Sequence, residues 1–164
     1  MRPLIVTLAI DAAAQQRFDA ERAALFPPGR TAVGAHVTLF HALPGAFEGQ
    51  VRADLSDVAG PAFDVLVARV QPLGRGAAYA LESAELMRRH HELRRRWSAA
   101  LTPQDAQGFR PHITVQNKVD PAEARATVAR LRAGFEPFAV RAEGWSLWRY
   151  DGGPWTPLAT IPFP

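Results

Sequence analysis

Residues 36–39 (His-Val-Thr-Leu) and residues 112–115 (His-Ile-Thr-Val) repeat one pattern, His-apolar-Thr-apolar, half a chain apart in a protein of 164 residues. β-branched and aromatic residues surround both copies, which predicts strands over 35–40 and 111–115. Because side chains alternate faces along a strand, the histidine and threonine of each copy share one face and the apolar residues share the other. Two such copies indicate two halves that present imidazoles and hydroxyls to one site.

Two imidazoles and two hydroxyls suit phosphoryl transfer. An unperturbed imidazole titrates near pH ~6.5, so one ring can act as a neutral base while the other acts as a protonated acid. Each threonine can donate a hydrogen bond to a non-bridging phosphate oxygen and stabilise the charge that builds there. This arrangement requires no metal.

The duplicated motif resembles that of the 2H phosphoesterases, and within them the bacterial group described as 2′-5′ RNA ligases or RNA 2′,3′-cyclic phosphodiesterases. The first copy continues as Leu-Phe-His-Ala-Leu-Pro-Gly over residues 39–45, close to the Leu-x-Phe-Leu-Gly run common in the family. The resemblance implies that His36, Thr38, His112 and Thr114 are catalytic, that both threonines also bind substrate, and that no cofactor takes part. It further implies that His112 is the base and His36 the acid. The residues alone leave these roles open, because the two motifs are nearly symmetric.

The predicted elements also repeat. Each half is predicted to contain, in this order, a strand, a helix, the motif strand, a second helix and a last strand. One further strand follows at the end of the second half. The predicted strands cover 4–10, 35–40, 63–70, 77–81, 111–115, 138–147 and 155–161, and the predicted helices cover 12–25, 48–58, 84–101 and 121–131. Matching offsets predict an internal repeat of about 3–74 and 77–164 within one domain over 1–164.

The expected fold class is α+β, with two pseudo-symmetric lobes of mainly antiparallel sheet flanking a central cleft and helices outside, as the family resemblance implies. The alternative is a parallel doubly wound sheet, since strands alternate with helices. No glycine-rich phosphate loop follows a strand, and the last two strands look like a hairpin around the turn at 151–154. Both observations favour the antiparallel arrangement.

Composition narrows the function classes. The chain has no cysteine, which excludes disulfides, thiolate nucleophiles and cysteine-ligated zinc. No His-x-x-x-His pattern or histidine and carboxylate cluster has metal-ligand spacing, so no metal is expected. The N-terminal apolar run is too short for a signal peptide, and no run approaches the ~18 apolar residues of a membrane span. We therefore expect a cytoplasmic protein with no membrane contact and no obligate protein partner.

The predicted helix over 84–101 carries five arginines, at positions 88, 89, 94, 95 and 96. Its apolar face is formed by Leu86, His90, Leu93 and Trp97, which follow helical spacing. Most of the arginines should therefore lie on the outer face. We favour a solvated surface over an RNA-binding stripe.

The other histidines are expected to be structural: His41 on the opposite face or at the rim, His90 in the core, and His91 in solvent. Phe109 and Arg110, directly before the second motif, could supply a stacking surface and a positive charge at the cleft mouth. Phe109 could equally cap the core. Weaker candidates of the same kind are Tyr79, Arg149 and Tyr150.

The function expected from this resemblance is hydrolysis of a 2′,3′-cyclic phosphate, on an RNA end or a nucleotide, to a 2′-phosphate. Reversal with a 5′-hydroxyl strand would make a 2′-5′ bond. One alternative is a phosphodiesterase for a small nucleotide, either a cyclic phosphate of ADP-ribose or a 2′-5′-linked oligoadenylate. Others are a non-catalytic module that binds RNA ends, disfavoured by the intact motifs, and an unrelated small α+β domain.

Overall fold

A computed structural model describes residues 1–30 and 33–164. These residues form seven strands and four helices, in the order that the sequence predicts. The strands are β1 Leu4–Ile10, β2 Val37–Leu43, β3 Phe63–Pro72, β4 Ala77–Glu82, β5 His112–Gln116, β6 Phe138–Tyr150 and β7 Trp155–Pro162. The helices are α1 Ala12–Leu25, α2 Glu48–Asp57, α3 Ala84–Arg96 and α4 Pro121–Ala133. Two short 3-10 turns cover Gly45–Phe47 and Ser98–Ala100.

The strands form one seven-stranded sheet in the order β2-β1-β6-β3-β4-β5, with β7 paired to β6, and every recorded pairing is antiparallel. Exchanging β1 with β4, β2 with β5 and β3 with β6 leaves this order unchanged. The α+β fold class with two pseudo-symmetric lobes is therefore confirmed. The same symmetry supports the internal repeat, which stays a prediction.

The sheet curls into a half-barrel with the helices outside. The motif strands β2 and β5 stand at the two ends of the strand order, and the curl brings Cα atoms of these strands to within 8 Å of each other. The convex face is apolar: Leu4, Val6 and Leu8 of β1 belong to the buried core beneath the helices. The intervening side chains face the concave side, which is the floor of the cleft.

Three of the four helices, α1, α3 and α4, begin at side-chain caps. Asp11 accepts the N–H of Ala14, Ser83 accepts that of Leu86, and Asp120 accepts that of Glu123. Helix α3 ends at Arg96 rather than at residue 101, and the 3-10 turn Ser98–Ala100 follows it. Within the described residues, no helix is both long enough and apolar enough to cross a bilayer.

Four of the five arginines of helix α3 lie outside its buried face, as predicted, and Arg89 does not. Arg89 is only 2% exposed and belongs to the buried face. Its guanidinium donates to the carbonyls of Ala59 and Pro61 and pairs with Glu85. Arg89 is the exception to the outward-facing arginines, because carbonyls of the 59–61 turn supply buried acceptors that spacing along the helix does not reveal.

The remainder of α3 follows the prediction. His90 is buried on its core face and His91 is exposed. The exposed arginines form ion pairs along the helix, Arg88 with Glu85 and both Arg95 and Arg96 with Glu92. These pairs give α3 a solvated, charge-balanced outer surface.

Candidate functional site

The two motif histidines are held in the same way. His36 Nδ1 lies 2.7 Å from the carbonyl oxygen of Gly34, and His112 Nδ1 lies 2.9 Å from that of Arg110. A carbonyl only accepts, so Nδ1 must carry the proton in both rings. Each ring therefore leaves Nε2 as the nitrogen available to a ligand, free to accept a proton when neutral and to donate one when charged.

The curl of the sheet brings the two motifs together, as the sequence predicts. One cavity of about 170 Å³ is lined by Thr38 of the first motif and His112 of the second. The charge of His112 also acts on His36. Thr114 is half-buried and shares the strand face of His112. His36 and Thr114 do not line this cavity, although the strands that carry the two motifs approach each other.

Small side chains of β4 lie beside the second motif. Ala78 lies opposite Thr114 and Ala80 lies opposite His112 in the pairing of β4 with β5. In the other lobe Thr7 of β1 lies opposite Thr38. The buried Thr7 hydroxyl accepts a hydrogen bond of 2.9 Å from Trp148 Nε1. This bond fixes an indole at the side of the cleft.

The environment of His36 is partly apolar. The Trp155 ring centroid lies 4.7 Å from that of His36, and His36 also lines a second cavity with Thr7 and Trp148. Burial lowers the pKa of His36 below its ordinary value; the bond to Gly34 raises it, and the charges of Arg22 and His112 lower it again. In the ligand-free protein the neutral form of His36 is favoured.

Helix α1 holds the segment that leads into the first motif. Gln15, Asp19 and Arg22 lie on one face of the helix and bond that segment. Asp19 accepts the N–H of Ala35 at 2.7 Å, and Gln15 donates to the carbonyl of Ala35 at 2.7 Å. Arg22 donates to the carbonyl of Val33 at 3.1 Å. Three polar side chains thereby fix the backbone directly before His36.

Arg22 also reaches the second motif. Its Nη1 donates to the carbonyl of Thr114 at 2.7 Å, although Thr114 lies 92 residues away in the chain. The side chain is 8% exposed, and its guanidinium carbon lies 4.2 Å from the Phe26 ring centroid. One buried arginine therefore ties together the backbones of both motif regions. Helical spacing could have flagged Arg22 as facing inward, but not its two acceptors.

His41 occupies a place that the sequence analysis did not assign to the site. It lines the cavity shared by Thr38 and His112, and its side chain is 44% exposed at the rim. Its Nδ1 lies 2.9 Å from Oδ1 of Asp105, whose own side chain is 1% exposed. The sequence shows no link between these two residues, because 64 positions separate them.

The remaining candidates divide between the core and the rim. Phe109 stacks on His90 with ring centroids 3.9 Å apart and also lines the cavity with Arg110, which is exposed. Tyr79 is buried in the core, donates to Glu21, and does not line this cavity; burial and that carboxylate raise its pKa. Arg149 pairs with Asp151, and Tyr150 is exposed.

Among the described residues, no group of three or more histidine, aspartate or glutamate side chains is placed to hold a metal ion.

Several solved structures share this fold. Protein TT0787 of Thermus thermophilus aligns with a TM-score of 0.69 at 17% identity, covering 98% of this chain and 97% of its own. E. coli LigT complexed with 3′-AMP aligns with a TM-score of 0.65 at 20% identity, and the alignment covers 99% of this chain and 98% of the LigT chain. A crystal structure of a phosphoesterase aligns with a TM-score of 0.65 at 19% identity, and the alignment covers 99% of each chain. At these identities the likeness establishes the fold. No curated protein matches the sequence.

The curled antiparallel sheet with a histidine motif on each edge strand defines the two-histidine phosphoesterase class. The sequence matches the family model of the 2′-5′ RNA ligase superfamily over residues 10–154, and the chain belongs to that superfamily. This confirms the resemblance noted from the motifs. The superfamily comprises phosphoesterase and ligase-type enzymes that act on RNA or nucleotide substrates.

Proposed function

We propose that this protein is a metal-independent phosphodiesterase that hydrolyses the 2′,3′-cyclic phosphate of an RNA end or nucleotide to a 2′-phosphate. The observation that carries the proposal is the matched anchoring of His36 and His112, which leaves Nε2 of each ring available to a ligand. Superfamily membership and the nucleotide complex of LigT support the substrate class. Run in reverse with a 5′-hydroxyl strand, the same chemistry forms a 2′-5′ bond.

The proposed reaction needs one proton removed and one delivered. The neutral imidazole takes a proton from water as the water oxygen attacks phosphorus, and the bond from phosphorus to the ribose 3′-oxygen breaks. The opposite imidazolium gives its proton to that departing oxygen. Thr38 and Thr114 donate hydrogen bonds to the non-bridging oxygens, where negative charge grows in the transition state.

The assignment of base and acid can be tested separately. The lowered pKa of His36 favours its neutral form in the free protein and so suits the base, whereas the family resemblance gives the acid role to His36. A cyclic substrate with sulfur in place of the 3′-oxygen has a leaving group that needs no proton. The alanine variant that regains activity on this substrate has lost the acid, and the variant that stays inactive has lost the base.

The main test is turnover of a panel of 2′,3′-cyclic nucleotides and RNA with a cyclic-phosphate end, with product analysis. His36→Ala and His112→Ala should each lower the rate by about 10²–10⁴-fold, because each removes a proton-transfer group. Thr38→Ala and Thr114→Ala should cost less. The matched control is His91→Ala, an exposed histidine on α3. Wild-type turnover by either catalytic histidine variant would remove that residue from the mechanism.

The same panel separates the narrower substrates. A cyclic phosphate of ADP-ribose and a 2′-5′-linked oligoadenylate belong in it beside the RNA end. A preference for one of these over RNA would redirect the proposal to a small-nucleotide phosphodiesterase. Binding without turnover of any member would instead indicate a non-catalytic nucleotide-binding module.

A further inference from the structure

His41 is a third imidazole on the cleft side of β2. The pairing of β1 with β2 is irregular on both sides of Val6, which lies opposite Phe40. These irregularities interrupt the alternation of faces, so that Phe40 belongs to the core while His41 lies at the cleft rim beyond Thr38. The charge of His41 also acts on His36. His41 is thus placed next to the proposed reaction centre, although the simple alternation of the motif strand does not predict it.

Asp105 fixes the orientation of this ring. Its carboxylate accepts the backbone N–H groups of His41, at 2.9 Å, and of Ala42, at 3.1 Å, as well as the His41 Nδ1 proton. Burial works against ionisation, but these hydrogen bonds outweigh it, so the pKa of Asp105 lies below its ordinary value. With Nδ1 occupied, Nε2 is the ring nitrogen that can bind a ligand. In its protonated form His41 donates from Nδ1 to Asp105 and from Nε2 outward.

The wall around His41 suits an anion. The described residues that line this part of the cavity include Gln104, Gln107, Gly108 and Arg110, and Asp105 is the one carboxylate among them. Both oxygens of Asp105 are already used by β2. Amide donors, an exposed guanidinium and an oriented imidazole are groups that bind phosphate oxygens.

We propose that His41 is a specificity-determining residue that binds a second phosphate of the substrate, on the 5′-oxygen of the nucleoside whose cyclic phosphate reacts. This rests on the proposed function. An RNA end carries such a phosphate as its last phosphodiester, whereas a 2′,3′-cyclic mononucleoside phosphate does not. Asp105 is the positioning residue that holds the ring towards it.

The test compares two product-like ligands by calorimetry. Adenosine 2′,5′-bisphosphate carries the second phosphate, and adenosine 2′-phosphate lacks it. Wild-type protein should bind the bisphosphate about tenfold more tightly, as expected for one hydrogen bond between charged groups. In His41→Phe this ratio should fall to near one. The substitution leaves the backbone N–H donors to Asp105 in place, and the melting temperature checks folding.

Matched variants assign the effect to His41. His91→Phe, which changes an exposed histidine on α3, should keep the tenfold ratio. Loss of the ratio in Arg110→Gln but not in His41→Phe would move the second phosphate to Arg110 and overturn the inference. So would a ratio near one in the wild type.

Turnover of a 2′,3′-cyclic nucleotide is measured on the same preparations. Absence of turnover with an intact binding ratio would defeat the proposed hydrolysis and leave the role of His41 standing. Turnover together with an affinity ratio near one would defeat the role of His41 and leave the proposed hydrolysis standing. The two failures are therefore distinguishable.

Discussion

Replacing Arg22 by methionine should destabilise the protein and loosen the cleft at once. The substitution keeps the aliphatic part of the side chain but removes the guanidinium, which packs on Phe26 and donates to the carbonyls of Val33 and Thr114. A buried acceptor left without its partner costs about 1–3 kcal/mol. Val33 is only half-buried, so its carbonyl counts at the low end because water can replace the guanidinium.

The net loss of stability is smaller than the sum of the costs of leaving both carbonyls without a donor. Arg22 carries a charge that burial disfavours, which lowers the pKa of Arg22, and removing that charge gives back part of the cost. We expect a loss of about 2–4 kcal/mol in the free energy of unfolding. For a chain of this length that corresponds to a fall of roughly 4–16 °C in melting temperature.

The assay is urea denaturation followed by circular dichroism, together with turnover of a 2′,3′-cyclic nucleotide under folding conditions. The control is Arg125→Met on α4, an exposed helical position where arginine and methionine have similar helix propensities. Because Arg22 positions the backbone of both motifs, turnover should fall as well, by up to about 10²-fold. An Arg22→Met variant within about 0.5 kcal/mol of wild type would refute the reasoning.

Three further outcomes follow from the same contacts. Asp54→Ala removes the acceptor of the buried Trp97 Nε1, 2.8 Å away, and should cost about 1–3 kcal/mol in urea denaturation; no change would show that another acceptor takes over. Burial lowers the pKa of His90 to about 4, so the unfolded chain binds more protons between about pH 4 and 6.5, and stability should fall by about 1–3 kcal/mol as pH drops through that window. His90→Phe should abolish that loss in denaturation curves recorded across the window. Turnover should survive EDTA and follow a bell-shaped pH profile whose limbs belong to the coupled pair His36 and His112; a loss of activity that a divalent ion restores would require a metal-dependent mechanism.

The sequence predicts the face of the motif strands well, for a physical reason. Alternation along a strand is local, so the shared face of His36 and Thr38, or of His112 and Thr114, depends on nothing outside the tetrapeptide. Helix starts are equally local, since Asp11, Ser83 and Asp120 each cap a helix a few residues away. These features could be predicted because their causes lie close together in the chain.

What the sequence could not show depends on distant partners. The bond of Arg22 to Thr114, that of His41 to Asp105 and those of Arg89 to the 59–61 turn join segments far apart in the chain. Arginine in an amphipathic helix is normally read as solvent-facing, because its charge is costly to bury. Arg22 and Arg89 are exceptions because backbone carbonyls accept their hydrogen bonds. Every residue has such a carbonyl, so residue identity does not show which ones accept from a buried arginine.

The cleft itself is built by reciprocal support between the halves of the chain. Arg22, from the first half, donates to the carbonyl of Thr114 on β5. The ring of His90, from the second half, donates to the carbonyl of Leu39 on β2 at 3.2 Å. Both acceptors lie on edge strands, whose outer carbonyls have no neighbouring strand to satisfy them. A side chain from the opposite half satisfies each of these groups and at the same time fixes the distance between the two motifs. The geometry of the paired imidazoles is therefore a property of the assembled sheet, and neither half of the chain contains the contacts that set it.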